Sequence, residues 1–166
     1  DKWINKVDGI LEMWFAGSEG GNAIADVLLG NYNPSGKLPM TFPNKWEDCS
    51  AFPTYKKMQG RTYYADDIYV GYRHFDRYNI DPLFPFGFGL SYTTFEYSNM
   101  NVAKNNDAFE ISFDIKNTGD VKGEEVAQLY IAPKNIGIER SVKELKGFEK
   151  VLLNPGESKT VKLSIS

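Results

Sequence analysis

The most regular pattern of hydrophobic and polar positions lies in the last part of the chain. Two stretches alternate strictly between apolar and polar side chains, as antiparallel strands with one buried face do. Three further short runs rich in apolar residues, separated by turns, are also read as strands. The five candidate strands cover residues 99–103, 109–115, 126–131, 145–151 and 160–165. Turn-forming residues separate them at 117–120 and 154–156. We therefore predict an all-β unit over residues 97–166.

The number of strands suggests which kind of all-β unit this is. A β-sandwich of the fibronectin type III or immunoglobulin type has about seven strands in about 100 residues. Residues 97–166 provide only 70 positions and about five strands. We therefore expect an incomplete sandwich that is short by about two strands. The Lys and Glu side chains on its polar faces are expected to form a solvated surface.

The first 45 residues show a different pattern, an apolar run followed by a glycine-rich turn and a helical stretch. Residues 10–15 are almost continuously apolar, which is typical of a parallel strand buried on both faces. After the glycine-rich residues 17–21, Asn22 can cap a helix over residues 23–29. Gly30 suits the left-handed position that ends a helix. This order predicts a strand, a turn and a helix.

A second strand is predicted to complete this unit. Residues 33–36 read Asn-Pro-Ser-Gly, the residue preference of a type I turn. Residues 37–42 then read as a short strand, and Pro39 places it at a sheet edge or a bulge because proline has no N–H to donate. Residues 1–45 are thus predicted to be a partial βαβ unit of an α/β sandwich, a layer that needs further strands beside it.

The middle of the chain is unusually aromatic. Of the 24 aromatic residues (3 Trp, 10 Tyr and 11 Phe), 15 lie between Trp46 and Tyr97, without clear periodicity. Each ring can bury about 150–250 Å² without regular structure beneath it. We therefore predict that residues 46–96 form an irregular connector packed over a domain surface. Aromatic rings also stack on sugars, so a ligand platform remains an alternative.

Composition and charge narrow the classes of function. The chain has 19 basic and 22 acidic residues, which argues against a nucleic-acid surface, and no apolar run is long enough for a membrane helix. A single cysteine, Cys49, allows neither an internal disulfide nor a cysteine-based zinc site. We expect no metal, cofactor, nucleic-acid or membrane partner. The compartment stays open between cytoplasmic and secreted or periplasmic, and a bacterial source is expected.

Few residues suggest chemistry on their own. The only histidine, His74, lies among aromatic residues and is expected to be a hydrogen-bonded packing residue. Asp66 and Asp67 are adjacent, so in an extended chain they point to opposite faces and do not form a carboxylate pair. The turn at residues 17–21 could bind a phosphate at a helix N-terminus. It lacks the Gly-Lys-Ser/Thr ending of a phosphate-binding loop, so a structural turn is favoured. Nor is it a nucleophile elbow, because the Gly-x-Ser-x-Gly order is not met.

Four linked motifs together resemble glycoside hydrolase family 3, the β-glucosidase type. Residues 17–23 and 33–39 resemble the end of its second domain, and residues 70–73 with 84–92 the connection that follows. Residues 117–120 with 123–126, and residues 143–148, resemble its fibronectin type III-like domain. Ser18 departs from the family, which usually has glutamine there. The motif residues that we expect to be structural are Gly17, Glu19, Gly20, Gly21, Asn33, Pro34, Ser35, Gly36, Gly71, Tyr72, Arg73, Gly87, Gly89, Asn117 and Gly119.

This resemblance implies retaining hydrolysis of terminal β-glycosides by a larger parent enzyme. Two carboxyl groups about 5–5.5 Å apart serve as nucleophile and acid/base in that chemistry. In the family the nucleophilic Asp lies in a barrel domain and the acid/base Glu earlier in the second domain, and neither motif occurs here. Glu19 does not align with that acid/base. No catalytic residue is therefore expected, and the isolated chain is predicted to be inactive.

The partners implied by the resemblance are the barrel domain, the remainder of the α/β sandwich and the β-glucoside or oligosaccharide substrate of the parent. The chain itself would have a structural or accessory role. A non-catalytic carbohydrate-binding or domain-interaction module is the alternative function.

Overall fold

Among the residues that the structure describes, the helices lie in the first half of the chain and the strands in the second half. The computed structural model describes residues 3–55, 60–134 and 137–165. Its 3₁₀-helices are Ile4–Lys6 and Trp46–Asp48, and its α-helices are α1 (Gly20–Leu28), α2 (Phe52–Tyr55) and α3 (Tyr72–Tyr78). The strands are β1 (Phe95–Asn105), β2 (Ala108–Asn117), β3 (Gly123–Ile131), β4 (Glu144–Leu153) and β5 (Ser158–Ile165). Within the described ranges, no helix is both long and apolar enough to span a membrane.

The five strands form two antiparallel sheets that pack face to face. One sheet has the order β1-β2-β5 and the other pairs β3 with β4. All five strands predicted in this part of the chain are confirmed, although each extends further than the sequence indicated. The turn before β5 is also confirmed, with Gly156 in a left-handed conformation at φ 76°.

The core of the sandwich lies between the two sheets. Ile115, Ala127, Leu153 and Val161 are buried together, one from each of β2, β3, β4 and β5. Larger apolar side chains pack around this cluster, namely Phe95, Phe113, Val151 and Leu163. Burial of these apolar surfaces is the main force that holds the sheets together.

The strand predicted at residues 10–15 is wrong. This segment has no regular secondary structure, and most of its apolar side chains, including Trp14 and Phe15, are exposed. A strand needs a neighbour for its backbone N–H and C=O groups, and no strand of the described residues lies beside it. The strand predicted at 37–42 is also absent, and a single bridge between Phe42 and Phe84 takes its place.

The predicted helix is confirmed, but its beginning is not. Helix α1 begins at Gly20, with Glu19 at the N-cap, so Asn22 lies inside the helix instead of capping it. Asn22 instead donates a hydrogen bond of 2.6 Å to the Glu19 carboxylate. The end is as predicted, because Gly30 follows the last turn with φ 77°. The type I turn predicted at residues 33–36 does not form, and this stretch has no turn or regular structure.

Candidate functional site

Most of the family-motif residues meet at one place, which we call the joint. The joint is the contact between residues 32–37 and 69–93 on one side and residues 117–130 and 144–150 of the sandwich on the other. Eleven of the predicted motif residues belong to the segments of the joint, namely Asn33, Pro34, Ser35, Gly36, Gly71, Tyr72, Arg73, Gly87, Gly89, Asn117 and Gly119. Gly71 has φ 57° immediately before α3.

Asn33 links three separate segments at the joint. Its Oδ1 accepts hydrogen bonds from the Ser91 hydroxyl (3.0 Å) and from the Tyr92 backbone N–H (2.8 Å). Its Nδ2 donates to the carbonyl oxygen of Lys122, just before β3 (3.1 Å). Both ends of the Asn33 amide are thus bonded to distant residues, and the side chain does not bond to its own backbone as in an Asx turn.

Glu124, at the start of β3, is a second meeting point. Its Oε2 accepts hydrogen bonds from the hydroxyls of Ser35 (3.0 Å) and Tyr32 (3.4 Å), and lies 2.6 Å from Nζ of Lys150. The bond from Lys150, followed by that from Ser35, lowers the pKa of this carboxyl below its ordinary value. The folded joint therefore favours the ionised carboxylate.

The neighbouring Glu125 forms the most shielded ion pair of the joint. Its carboxylate lies 3.1 Å from Nζ of Lys37, and both side chains are about five-sixths shielded from solvent. Lys37 also donates to the carbonyl oxygen of Gly89 (2.8 Å), and the Tyr97 hydroxyl donates to Glu125 (2.9 Å). Burial, followed by the negative charge of Glu125, raises the pKa of Tyr97 above its ordinary value. The pair is thus completed by hydrogen bonds on both charges.

Two glycines allow the backbones to approach closely at the joint. A Cβ at Gly89 would collide with the carbonyl oxygen of Gly36. Gly87 has φ 80°, and a Cβ there would collide with the side chain of Gln128, whose Nε2 donates to the Gly87 carbonyl oxygen at 3.0 Å. Only glycine fits these two positions without a shift of the chain.

The start of α3 is bonded to β4. The backbone N–H of Leu145 donates to the hydroxyl of Tyr72 (3.0 Å), and Arg73 lies 4.0 Å from Glu144. The Tyr72 ring also contacts Phe86, with 5.0 Å between ring centroids. These contacts fix the connector against the two-stranded sheet.

Asn117, at the end of β2, is buried beneath the joint. Its amide donates to the carbonyl oxygens of Val121 (2.8 Å) and Leu153 (3.1 Å). Its Oδ1 accepts from the hydroxyl of Thr93 (2.6 Å) and from the backbone N–H of Gly119 (3.1 Å). A Cβ at Gly119 would collide with Thr93, so this glycine is needed for the contact.

Four motif residues do not belong to the joint. Gly17, Glu19, Gly20 and Gly21 form the turn and the first residues of α1, where Gly17 has φ 70°. The Glu19 carboxylate is exposed and bonded to Asn22. Among the side-chain hydrogen bonds of the described residues, none joins Glu19 to a second carboxylate.

The remaining polar candidates are placed as follows. His74 Nε2 lies 3.1 Å from the carbonyl oxygen of Asp48, and since a carbonyl only accepts, this nitrogen carries the proton. Its ring packs on Tyr78 at 5.0 Å, so the expected packing role is confirmed. Partial burial raises the pKa of the Cys49 thiol. Across the described ranges, no group of three His, Cys, Asp or Glu is arranged to hold a metal ion.

Sequence reasoning missed two carboxylates of the joint, Glu124 and Glu125. The expectation that Glu side chains of the sandwich are solvated is wrong for Glu124 and Glu125, because they meet Ser35 and Lys37 across the joint. A signal was present in the sequence. Two adjacent carboxylates open β3 immediately before an apolar run, so at least one of them has to point toward a packed face.

A cleft of about 490 Å³ lies within the joint. Its wall includes aromatic rings from the connector and from β3, and charged side chains of both signs. The lining residues that matter below are Lys37, Thr41, Tyr72, Asp76, Phe86, Glu125, Tyr130 and Lys143.

Family models and curated relatives both match this chain to glycosyl hydrolase family 3 or to β-glucosidases. The model of the glycosyl hydrolase family 3 C-terminal domain matches residues 1–92, and that of the fibronectin type III-like domain matches residues 125–166. A probable β-glucosidase I of Aspergillus clavatus is 46% identical over 171 residues, covering 98% of this chain and 20% of that protein. A β-glucosidase of Kluyveromyces marxianus is 47% identical over 164 residues, covering 98% of this chain and 19% of that protein.

Solved structures agree with this result. The structure of β-glucosidase 3B from Thermotoga neapolitana has a TM-score of 0.93 and 47% identity, over 99% of this chain and 24% of that one. The chain thus spans about a fifth of the length of the curated relatives that it matches. Because the first family model covers more than half of the residues, the chain belongs to glycosyl hydrolase family 3, and it carries sequence of the family's C-terminal domain followed by a fibronectin type III-like domain.

Proposed function

We propose that this chain is an accessory part of a β-glucosidase, and that it braces the catalytic portion of the parent without supplying a catalytic carboxylate. The proteins that it resembles are named β-glucosidases, and the chain matches about a fifth of their length. The observation that carries the proposal is that the chain has two different faces. One is closed by the joint, and the other is an uncovered apolar surface.

The uncovered face lies on α1 and the segment before it. Helix α1 has no buried residue, and Leu28 and Leu29 at its end are largely exposed. Trp14 is half-exposed and Phe15 is fully exposed in the preceding segment. Large apolar side chains left exposed in one stretch of chain are candidates for a protein interface. We assign this face to contact with the remainder of the parent's α/β sandwich and, through it, the barrel domain.

The joint also supports the bracing role. Its hydrogen bonds and ion pairs hold residues 32–37 and 69–93 against the sandwich. We propose the domain limits accordingly as residues 1–45 for the end of the α/β sandwich, 46–96 for the connector and 97–166 for the fibronectin type III-like unit. The nucleophilic Asp and the acid/base Glu are proposed to lie outside this chain.

The apolar face gives the sharpest test of this role. In the full-length parent we expect Leu28→Glu combined with Leu29→Glu to lower both the melting temperature and the turnover of an aryl β-glucoside, because two charges would enter an apolar interface. Met100→Glu combined with Val102→Glu is the matched control, since both side chains are exposed on β1, outside the joint. A Leu28 and Leu29 double variant as stable and active as the control would contradict the bracing role.

A further inference from the structure

The cleft within the joint has properties that the bracing role does not require. Its volume, about 490 Å³, falls within the roughly 300–1,000 Å³ of small-molecule pockets. At roughly 30 Å³ for each water in the liquid, that space far exceeds a single bridging water. The cleft is thus large enough for a small organic molecule.

Two polar atoms in the wall of the cleft lack a partner. Among the described residues, the hydroxyl of Thr41 and Oδ2 of Asp76 are buried without any hydrogen bond. Thr41 is only 7% exposed. A buried polar atom without a partner is costly, and such atoms are rare in folded proteins. Both atoms are buried, so the side chains of Thr41 and Asp76 would have to rotate for these atoms to contact a ligand in the cleft.

The charges around the cleft balance. Lys37 lies 3.1 Å from Glu125, and Lys143 lies 3.2 Å from Asp76, so each cation has its anion. An added charge on a ligand would find no unmatched counter-charge in these two pairs. This arrangement favours a neutral ligand over a phosphate or a carboxylate.

Aromatic rings supply the apolar part of the wall. Tyr72 packs against Phe86 with 5.0 Å between ring centroids, and against Tyr130 with 6.0 Å in an edge-to-face arrangement. Such rings present large rigid surfaces at low entropic cost. A sugar ring matches this wall, because it has C–H faces for the aromatic rings and hydroxyls that can both donate and accept. One hydroxyl can donate to the Asp76 carboxylate while another bonds to Thr41.

We propose that the cleft within the joint binds a neutral polyhydroxylated ligand of monosaccharide size. The proposal rests on the cleft, the two partnerless polar atoms and the balanced charges. It does not depend on the bracing role or on the parent's being a β-glucosidase.

Methyl NMR of the full-length protein, with threonine methyls labelled, tests this proposal locally. We expect glucose in the millimolar range to shift the Thr41 methyl signal in a saturable way, since the side chain has to rotate to meet the ligand. Inorganic phosphate should leave that signal in place. Glucose bound elsewhere in the parent would be reported by other methyls, so the result does not depend on activity.

Variants distinguish a specific site from a general effect. Asp76→Asn and Phe86→Leu are each expected to weaken the glucose affinity read from the Thr41 methyl signal about tenfold. Asp76→Asn removes a charge-assisted hydrogen bond, and Phe86→Leu removes an aromatic ring face. Asp66→Asn is the matched control, because Asp66 also has a buried partnerless oxygen but does not line the cleft. No saturable shift at Thr41, an equal response to phosphate, or a response unchanged in both cleft variants would overturn the proposal.

Discussion

The hydroxyl of Thr93 donates a hydrogen bond of 2.6 Å to Oδ1 of Asn117, and both side chains are buried. Thr93 belongs to the end of the connector, and Asn117 ends β2. The Asn117 amide also bonds to the carbonyl oxygen of Leu153, the last residue of β4 in the other sheet. One buried amide therefore holds the connector and both sheets of the sandwich together.

Replacing Asn117 by alanine should open the sandwich more easily. The change removes four hydrogen bonds and leaves buried partners unpaired, so we expect a loss of about 3 kcal/mol or more. Amide hydrogen exchange at Ile115 and Val161 in the core measures this free energy in the full-length protein. Asn101→Ala, at an exposed position of β1, is the control and should change it little. Equal effects of the two changes would show that Asn117 does not hold the sheets.

The glycines of the joint make a second prediction. Gly89→Ala places a methyl group against the Gly36 carbonyl oxygen, a backbone atom that cannot turn aside. We expect a loss of about 1–3 kcal/mol, read from hydrogen exchange or thermal melting. Gly21→Ala meets no atom within 4 Å and lies in α1, where alanine favours the helix. It should be neutral or stabilising, and the opposite order of the two variants would contradict the close approach at the joint.

Sequence patterns were most informative for features that depend on residues close together in the chain. The alternation in residues 109–115 indicated a strand because one face of the strand is buried and the other faces solvent. Gly30 was identified as the end of the helix because few other residues adopt a left-handed conformation. The apolar run at 10–15 led to a wrong strand prediction, because its composition is compatible with any buried segment. The run itself does not indicate whether a neighbouring strand is present. Joint contacts such as Ser35 to Glu124 connect positions far apart in the chain, and no local pattern encodes such a pairing.

Lys37 and Glu125 should be strongly coupled. Their side chains are mostly shielded from solvent, and each charge has a further hydrogen bond, so removing one leaves the other buried and unpaired. A double-mutant cycle with Lys37→Met and Glu125→Gln should give a coupling energy of about 1–3 kcal/mol. The exposed pair of Lys162 and Glu110, 3.9 Å apart, should give less than about 1 kcal/mol. Coupling of similar size in both pairs would argue that the joint is solvated.

Acid should weaken the joint through Glu124. Its pKa is lower in the folded state than the ordinary value of 4.5, so the unfolded chain binds more protons in the interval between the two values. The stabilisation is therefore complete above pH 4.5 and is lost as the pH falls through the lowered folded-state pKa. Melting temperatures measured across this interval should fall less steeply for Glu124→Gln than for the unaltered protein. An exposed control on β4, Glu149→Gln, should retain the original steepness; if Glu124→Gln retained it too, Glu124 would not be the titrating group.

Turnover of an aryl β-glucoside is the most direct test of the claim that this chain braces an enzyme whose catalytic carboxylates lie elsewhere. The measurement compares the purified 166-residue chain, the full-length parent, and the parent with Glu19→Gln. We predict turnover by the parent, unchanged by Glu19→Gln, and none by the chain alone. Hydrolysis by the chain alone that disappears with Glu19→Gln would contradict the account.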